Sequence, residues 1–220
     1  MEDIKLFLIR HGRQSSSDCN VNVSLAPEGL KQAELLGKRL KEYKIDRVYS
    51  SDLIRAVETA ERIRRELGME PDRGEYQREE LREMDYGELT GLTNAELNER
   101  YGKYFEERDK MERDICIPGG ENGEQVCRRM TAAINEILEH AVKMKERNLA
   151  VVSHGGAIRC YLAGILHIPQ SKRFLIAKHF ENCSITELLY HGETGIITLE
   201  RLNDYAHLES CDELLRKHFI

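Results

Sequence analysis

Ile4-Lys5-Leu6-Phe7-Leu8-Ile9-Arg10-His11-Gly12 is a short, mostly apolar run that breaks off into a cation, an imidazole and a glycine. A run of this length, followed by a polar stretch over 10–24, fits a buried strand. The same pattern returns late in the chain as Leu149-Ala150-Val151-Val152-Ser153-His154-Gly155-Gly156, the best buried-strand candidate in the sequence. Gly155-Gly156 there opens a helix carrying Ile158, Leu162 and Ile165.

Between and beyond these two runs, strand and helix patterns alternate. Ala26-Pro27-Glu28-Gly29 leads into Leu30, Ala33, Leu36, Leu40 and Tyr43 at helical spacing, and a proline suits a first helical turn. Arg47-Val48-Tyr49-Ser50 reads as a second short strand, and Ser51 or Asp52 is placed to cap the helix after it. Ile54, Val57, Ala60, Ile63 and Leu67 form the buried stripe of that helix, which Gly68 and Pro71 end. The charged segment 72–91 has room for one short strand, and 94–111 reads as one or two polar, exposed helices. Ile117-Pro118-Gly119-Gly120 is a turn before a long helix with Val126, Met130, Ala133, Ile137 and Ala141 on one face. Segments 174–177, 183–190 and 195–202 read as strands added antiparallel to a sheet. The alternation predicts an α/β fold: a mostly parallel central sheet, helices on both faces and antiparallel C-terminal strands. No linker divides it, so one domain is expected over 1–220, with 85–120 as a small, lid-like helical insertion over the active site.

Composition narrows the class. In 220 residues, 40% are hydrophobic and 33% charged, a globular balance. A formal charge of −6 argues against a nucleic-acid partner, because phosphate backbones demand an excess of Lys and Arg. Met1-Glu2-Asp3 is acidic with no long apolar run behind it, so no signal peptide is read. The apolar runs are too short to span a bilayer, so no membrane partner is expected. Six cysteines without a C-x-x-C pair read as reduced thiols of a cytoplasmic protein. Cys160 and Cys183 are expected in the core. His140, His167, His179, His191, His207 and His218 show no ligand spacing and read as structural or solvated, so no metal site is expected. Gly119-Gly120-Glu121-Asn122-Gly123 lacks the lysine of a nucleotide P-loop.

The residues just after the three clearest strands share a chemistry. They are Arg10-His11-Gly12, then Asp52 with Arg55 in a first helical turn, then Ser153-His154-Gly155. Open α/β sheets bind ligands outside the carboxyl ends of their strands, so two arginines and two histidines are expected to converge beside helix N-termini. Such a site suits a phosphate. Arginine forks grip phosphate oxygens, a neutral histidine can attack phosphorus, and a second histidine can donate to the oxygens. A leaving alkoxide then needs a carboxylic acid. Two plainer readings compete: Arg55 as a surface arginine in reach of Glu58, and Ser15-Ser16-Ser17 as a polar loop beside the pocket.

The ordered motifs resemble the histidine phosphatase superfamily, in its phosphoglycerate-mutase-like branch. Arg10-His11-Gly12 matches its signature. Ser50-Ser51-Asp52-Leu53-Ile54-Arg55-Ala56 with Thr59-Ala60 resembles its S-x-L-x-R-A-x-x-T-A helix. Leu81-x-Glu83-x-x-x-Gly87-x-x-x-Gly91 resembles its segment bearing the proton donor, and Pro118-Gly119-Gly120-Glu121-Asn122 its P-G-G-E-S turn. Val151-Val152-Ser153-His154-Gly155-Gly156 and Asn182-Cys183-Ser184-Ile185 resemble its later strand ends. Arg13 stands where glutamate is frequent, Ser17 where asparagine is frequent, and Thr90 where an acidic residue precedes the glycine.

The resemblance implies a metal-independent phosphomonoesterase of the histidine acid type acting on a small phosphate ester, similar to broad-specificity and α-ribazole-phosphate phosphatases. His11 would carry the phosphohistidine, Glu83 would protonate the leaving oxygen, and His154 would be the second catalytic histidine. Arg10, Arg55 and Gly155 would bind phosphate, with no cofactor and no metal. Cofactor-dependent mutases carry adjacent arginines in a longer insertion. Here the first Arg-Arg pair after Glu83 is Arg128-Arg129, in the later helix, with Arg100, Arg108 and Arg113 scattered before it. The phosphatase is therefore preferred over a phosphoglycerate mutase, and the intact motif residues argue against a non-catalytic phosphate-binding relative.

Overall fold

The computed structural model describes residues 2–177 and 179–216; His218 lies outside them. The opening run forms β1 (Ile4–Arg10), followed by α1 (Pro27–Leu40), β2 (Arg47–Ser51), α2 (Ile54–Leu67) and a two-residue β3 (Gln77–Arg78). Then come α3 (Asn94–Asp109), α4 (Gly123–Met144), β4 (Asn148–Ser153), α5 (Gly155–Ile165), β5 (Ile185–Tyr190) and β6 (Ile197–Asp204). Six strands make one sheet in the order β3-β2-β4-β1-β5-β6. The first four in that order run parallel, while β5 pairs antiparallel with β1 and β6 antiparallel with β5.

Strand side chains alternate between faces, and β1 shows how this builds two cores. Ile4, Leu6 and Leu8 pack with Val126, Met130 and Ile158 of α4 and α5. Phe7 and Ile9 turn the other way, onto Ala33, Leu36 and Ile63 of α1 and α2. Each such side chain, fully removed from water, contributes about 1.5–3 kcal/mol. Cys160 and Cys183 are both buried in this interior.

Helix ends follow local chemistry with one correction. Pro27 opens α1, Gly68 ends α2 in the left-handed region at φ 71°, and capping boxes start α3 (Thr93 with Glu96) and α4 (Asn122 with Gln125). Neither Ser51 nor Asp52 is the cap of α2. Leu53 holds that position, Ser51 Oγ accepts from Leu53 N–H at 3.2 Å, and Ile54 N–H reaches Asn22 Oδ1 at 2.9 Å. The cap is supplied by the loop after β1, a long-range partner that no local pattern encodes.

A second correction concerns 174–177, expected as a strand. Gln170–Leu175 is instead a 3₁₀ turn. Arg173 is buried there and donates to Asp114 Oδ1 at 2.7 Å, while Phe174 lies under the guanidinium groups of Arg108, Arg159 and Arg173. These contacts tie the segment to the helices rather than to a sheet edge. The 94–111 segment is one helix kinked at Tyr101 (φ −122°, ψ 15°), with no buried residue. No helix among the described residues is long and apolar enough to cross a membrane.

Candidate active site

Strand order brings the motif residues together. Arg10 is the register partner of Ser153 across β1 and β4, and Ser50 pairs with Val152 across β2 and β4. The three strand ends therefore present Arg10-His11, Ser153-His154 and the start of α2 at one edge. The loop after β1 is pressed onto α1: a Cβ on Gly12 would lie 2.6 Å from the Gly29 carbonyl oxygen, so only glycine fits.

His11 is buried at 4% exposure. Its Nδ1 lies 2.7 Å from the Gly12 carbonyl, which can only accept, so Nδ1 carries the proton and Nε2 a lone pair. Arg55 Nε donates to that Nε2 at 3.3 Å. The His154 ring stands 5.0 Å from the His11 ring between centroids. Its Nε2 is 3.0 Å from Ser51 Oγ, and its Nδ1 is buried without a hydrogen-bond partner. Arg10 donates through Nη1 to the Phe180 carbonyl, while its Nε is likewise buried and unpartnered. Burial, then the neighbouring charges of Arg10 and Arg55, hold His11 well below the ordinary histidine pKa. Burial and His11 do the same for His154. Burial, reinforced by the charge of Arg216, lowers Arg10 to about 9, so it remains a cation at neutral pH.

Arg55 is not the surface arginine of the plainer reading. It is 2% exposed, and its remaining nitrogens donate to the Val21 carbonyl and Asn20 Oδ1, each at 3.0 Å. Glu58 instead accepts from Leu25 N–H at 2.7 Å. Asn182 donates through Nδ2 to the His11 carbonyl at 2.9 Å, and Cys183 N–H to the Arg10 carbonyl at 2.9 Å. The segment before β5 thus clasps the backbone that carries both site residues.

Glu83 sits on the N-terminus of α5. Its Oε1 accepts from Ala157 and Met84 N–H at 2.9 Å, and its Oε2 from Gly156 N–H at 3.1 Å. A helix N-terminus favours a carboxylate. From α4, Arg129 donates to the carbonyls of Glu80, Arg82 and Glu83 and pairs with Glu121. Arg129 is visible in sequence only as half of an Arg-Arg pair, and its carbonyl partners lie more than forty residues away along the chain.

These groups open into a cleft of about 1130 Å³ whose walls include Arg10, His11, Arg55 and Glu83. Ser15-Ser16-Ser17, Asn20 and Tyr86 add polar lining. His154 and Gly155 are not in the cleft wall. His154 is fully buried against His11, and Gly155 lies under Arg10, where an added Cβ would make ordinary 3.5 Å contacts. Ser17 lines the cleft and Thr90 closes an exposed turn, while Arg13 turns to the C-terminal segment and donates to the Leu214 and Leu215 carbonyls at 2.9 Å each. Among the described residues no three His, Cys, Asp or Glu side chains are grouped to hold a metal ion.

Two buried histidines and two arginines thus meet at the strand ends of an α/β sheet. The model of the histidine phosphatase superfamily (branch 1) matches residues 6–204, and the chain belongs to that family. It is 31% identical to a probable phosphoglycerate mutase GpmB of Proteus mirabilis, over 97% of this chain and all of that one. It is 32% identical to a 2,3-bisphosphoglycerate-dependent phosphoglycerate mutase of Cytophaga hutchinsonii, over 71% of this chain and 75% of that one. Among solved structures, a mycobacterial glucosyl-3-phosphoglycerate phosphatase with inorganic phosphate superposes with a TM-score of 0.80 at 25% identity, covering 93% of this chain and 99% of that one.

Proposed function

We propose that the protein is a phosphomonoesterase that hydrolyses a small phosphorylated metabolite through a phosphohistidine on His11. One observation carries this reading. His11, with an unprotonated Nε2 held by Arg55 Nε and the His154 ring 5.0 Å away, stands in the wall of a cleft shared by Arg10, Arg55 and Glu83. A neutral imidazole nitrogen among guanidinium groups is a nucleophile placed where a phosphoryl group would be bound. The nitrogen lone pair attacks phosphorus, and the ester P–O bond breaks. Glu83 gives a proton to the departing oxygen. Water then attacks the phosphohistidine, yields a proton to Glu83, and the P–N bond returns its pair to Nε2. The Nδ1–H bond to Gly12 fixes the ring throughout. Arginine guanidinium groups supply the positive charge, so catalysis is positioning and charge stabilisation and needs no metal or cofactor.

The phosphatase structural neighbour supports hydrolysis as the outcome. So do three arginines over 85–129 that are paired with carboxylates: Arg100 with Glu96, Arg113 with Glu107 and Arg129 with Glu121. Mutase chemistry is the second reading, favoured by the full-length likeness to the probable phosphoglycerate mutase. A phosphate-release assay on an ester panel, run beside a coupled mutase assay primed with 2,3-bisphosphoglycerate, separates the two. Hydrolysis should exceed exchange, with acid-labile phosphate trapped on His11. His11→Ala should abolish turnover with an unchanged circular dichroism spectrum. Near-normal activity in that variant would overturn the mechanism.

A further inference from the structure

The family match ends at residue 204, yet three residues beyond it, Glu213, Leu215 and Arg216, stand in the cleft wall. The segment that carries them is built into the fold. Leu208 and Leu214 are buried against Phe7, Ala33 and Leu36 in the core beneath α1. Gln32, fully buried in α1, accepts from Arg13 N–H at 2.8 Å and donates to the Leu214 carbonyl at 2.7 Å. Arg13 closes the same clasp through its guanidinium on the Leu214 and Leu215 carbonyls. Arg216 then uses its backbone N–H on Glu181 Oε2 at 3.2 Å, leaving its exposed side chain at the cleft. Its charge is felt at both Arg10 and His11.

We propose that Arg216 is a specificity-determining residue that binds a second anionic group, a carboxylate or a second phosphate, on the leaving-group side of the ester, and that Arg13 and Gln32 are the positioning residues that hold it there. Charge supports the assignment. Arg10 and Arg55 face Glu83 around the reacting phosphate, with Glu181 also acting on Arg10, whereas Arg216 sits at the rim with Glu213 and beside the tethered Arg13. The inner arginines meet the phosphoryl group, and the rim keeps a net positive charge for a further anion. A guanidinium offers such a group a planar fork.

This inference deepens the phosphatase reading and rests on it. The test compares substrates that differ in one anion: 3-phosphoglycerate against glycerol 3-phosphate, and fructose 1,6-bisphosphate against fructose 6-phosphate. The first pair reports a carboxylate, the second a phosphate. In at least one pair, Arg216→Ala should lower kcat/KM for the more anionic member about tenfold more than for its partner, chiefly through KM. Arg216→Lys should restore part of that ratio, and Arg13→Ala should shift it in the same direction as Arg216→Ala. Ratios unchanged in both pairs would overturn the proposal, whether through equal losses on every ester or through none. If the wild-type protein turns over no ester, the phosphatase reading fails separately. Calorimetric titration of wild type and Arg216→Ala with the same compounds then decides the role of Arg216 by the same ratio of affinities.

Discussion

Glu83 occupies a place where a methyl group cannot coexist with it. A Cβ built on Gly156 would lie 2.5 Å from Glu83 Oε1 and 3.1 Å from its carboxyl carbon. Gly156→Ala should therefore push the carboxylate off the first turn of α5, breaking its bonds to Gly156 and Ala157. Replacing a helical glycine with alanine otherwise favours the helix by about 1 kcal/mol. The expected signature is divergent: kcat falls at least about tenfold, within the range a displaced general acid costs, while thermal stability holds or rises. Steady-state kinetics beside a melting curve checks it, and unchanged kcat would remove Glu83 from the chemistry. At this scale the sequence was informative where a residue ends a strand. Arg10, His11 and His154 were marked that way, whereas Arg55 had an equally good partner in Glu58 until α2 was set beside the loop after β1. Asn20, which orients Arg55, carried no local signal, and Ser51, which orients His154, was marked only as a helix cap, because both act across the fold.

Elements explain why Glu83 stands still. The 118–121 turn locks onto 85–88: Glu88 N–H meets the Pro118 carbonyl at 2.9 Å, and Glu121 N–H meets the Asp85 carbonyl at 3.0 Å. Gly87 makes this possible, since it adopts φ 46° and a Cβ there would fall 2.3 Å from the Pro118 carbonyl oxygen. Two motifs that looked separate along the chain are thus one structural unit, and Arg129 of α4 pins it from behind. Arg129→Ala would strip three carbonyls and the Glu121 carboxylate of their donor, a loss of about 1–3 kcal/mol. Denaturant unfolding should show that drop, and kcat should fall more than KM rises, because the phosphate-facing arginines stay in place. A pure stability effect with normal kcat in the folded fraction would mean that Glu83 does not depend on this clamp. The 170–175 segment shows the opposite case. Its apolar letters suited a strand, and only the tertiary demand of Arg173 for Asp114 made it a turn.

Over the whole molecule, a chain of formal charge −6 surrounds a cleft with four arginines and two glutamates in its wall. The topology that concentrates those cations was legible in the sequence, because alternating strand and helix patterns leave few arrangements for a parallel sheet. The route of the C-terminal segment back to the cleft was not, since it depends on Gln32 and Arg13 meeting backbone carbonyls 182 and 201 residues away.

The same burial that prepares the site sets how the molecule responds to acid. His11 and His154 are held well below the ordinary value chiefly by desolvation, and His207 is lowered to about 4, again chiefly by burial, with Arg39 adding to it. A histidine whose pKa is depressed on folding takes up its proton in the unfolded chain first. Its stabilisation is complete above the unfolded value of about 6.5 and is lost as pH falls below it, by up to about 1.4 kcal/mol per pH unit for each group. Asp204, held low by Arg39, loses its own contribution only below about pH 4, and lowered glutamates such as Glu121 lose theirs below about pH 5, so the interval between about pH 6.5 and 5 belongs to the histidines. Unfolding free energy from urea titrations should be level from pH 8 to 7 and fall progressively from pH 6.5 to 4.5. His207→Gln should make that fall shallower by removing one of the three groups. Constant stability down to pH 4.5 would mean that these histidines take up protons in the folded protein as readily as in the unfolded chain, and burial would not be what keeps His11 unprotonated.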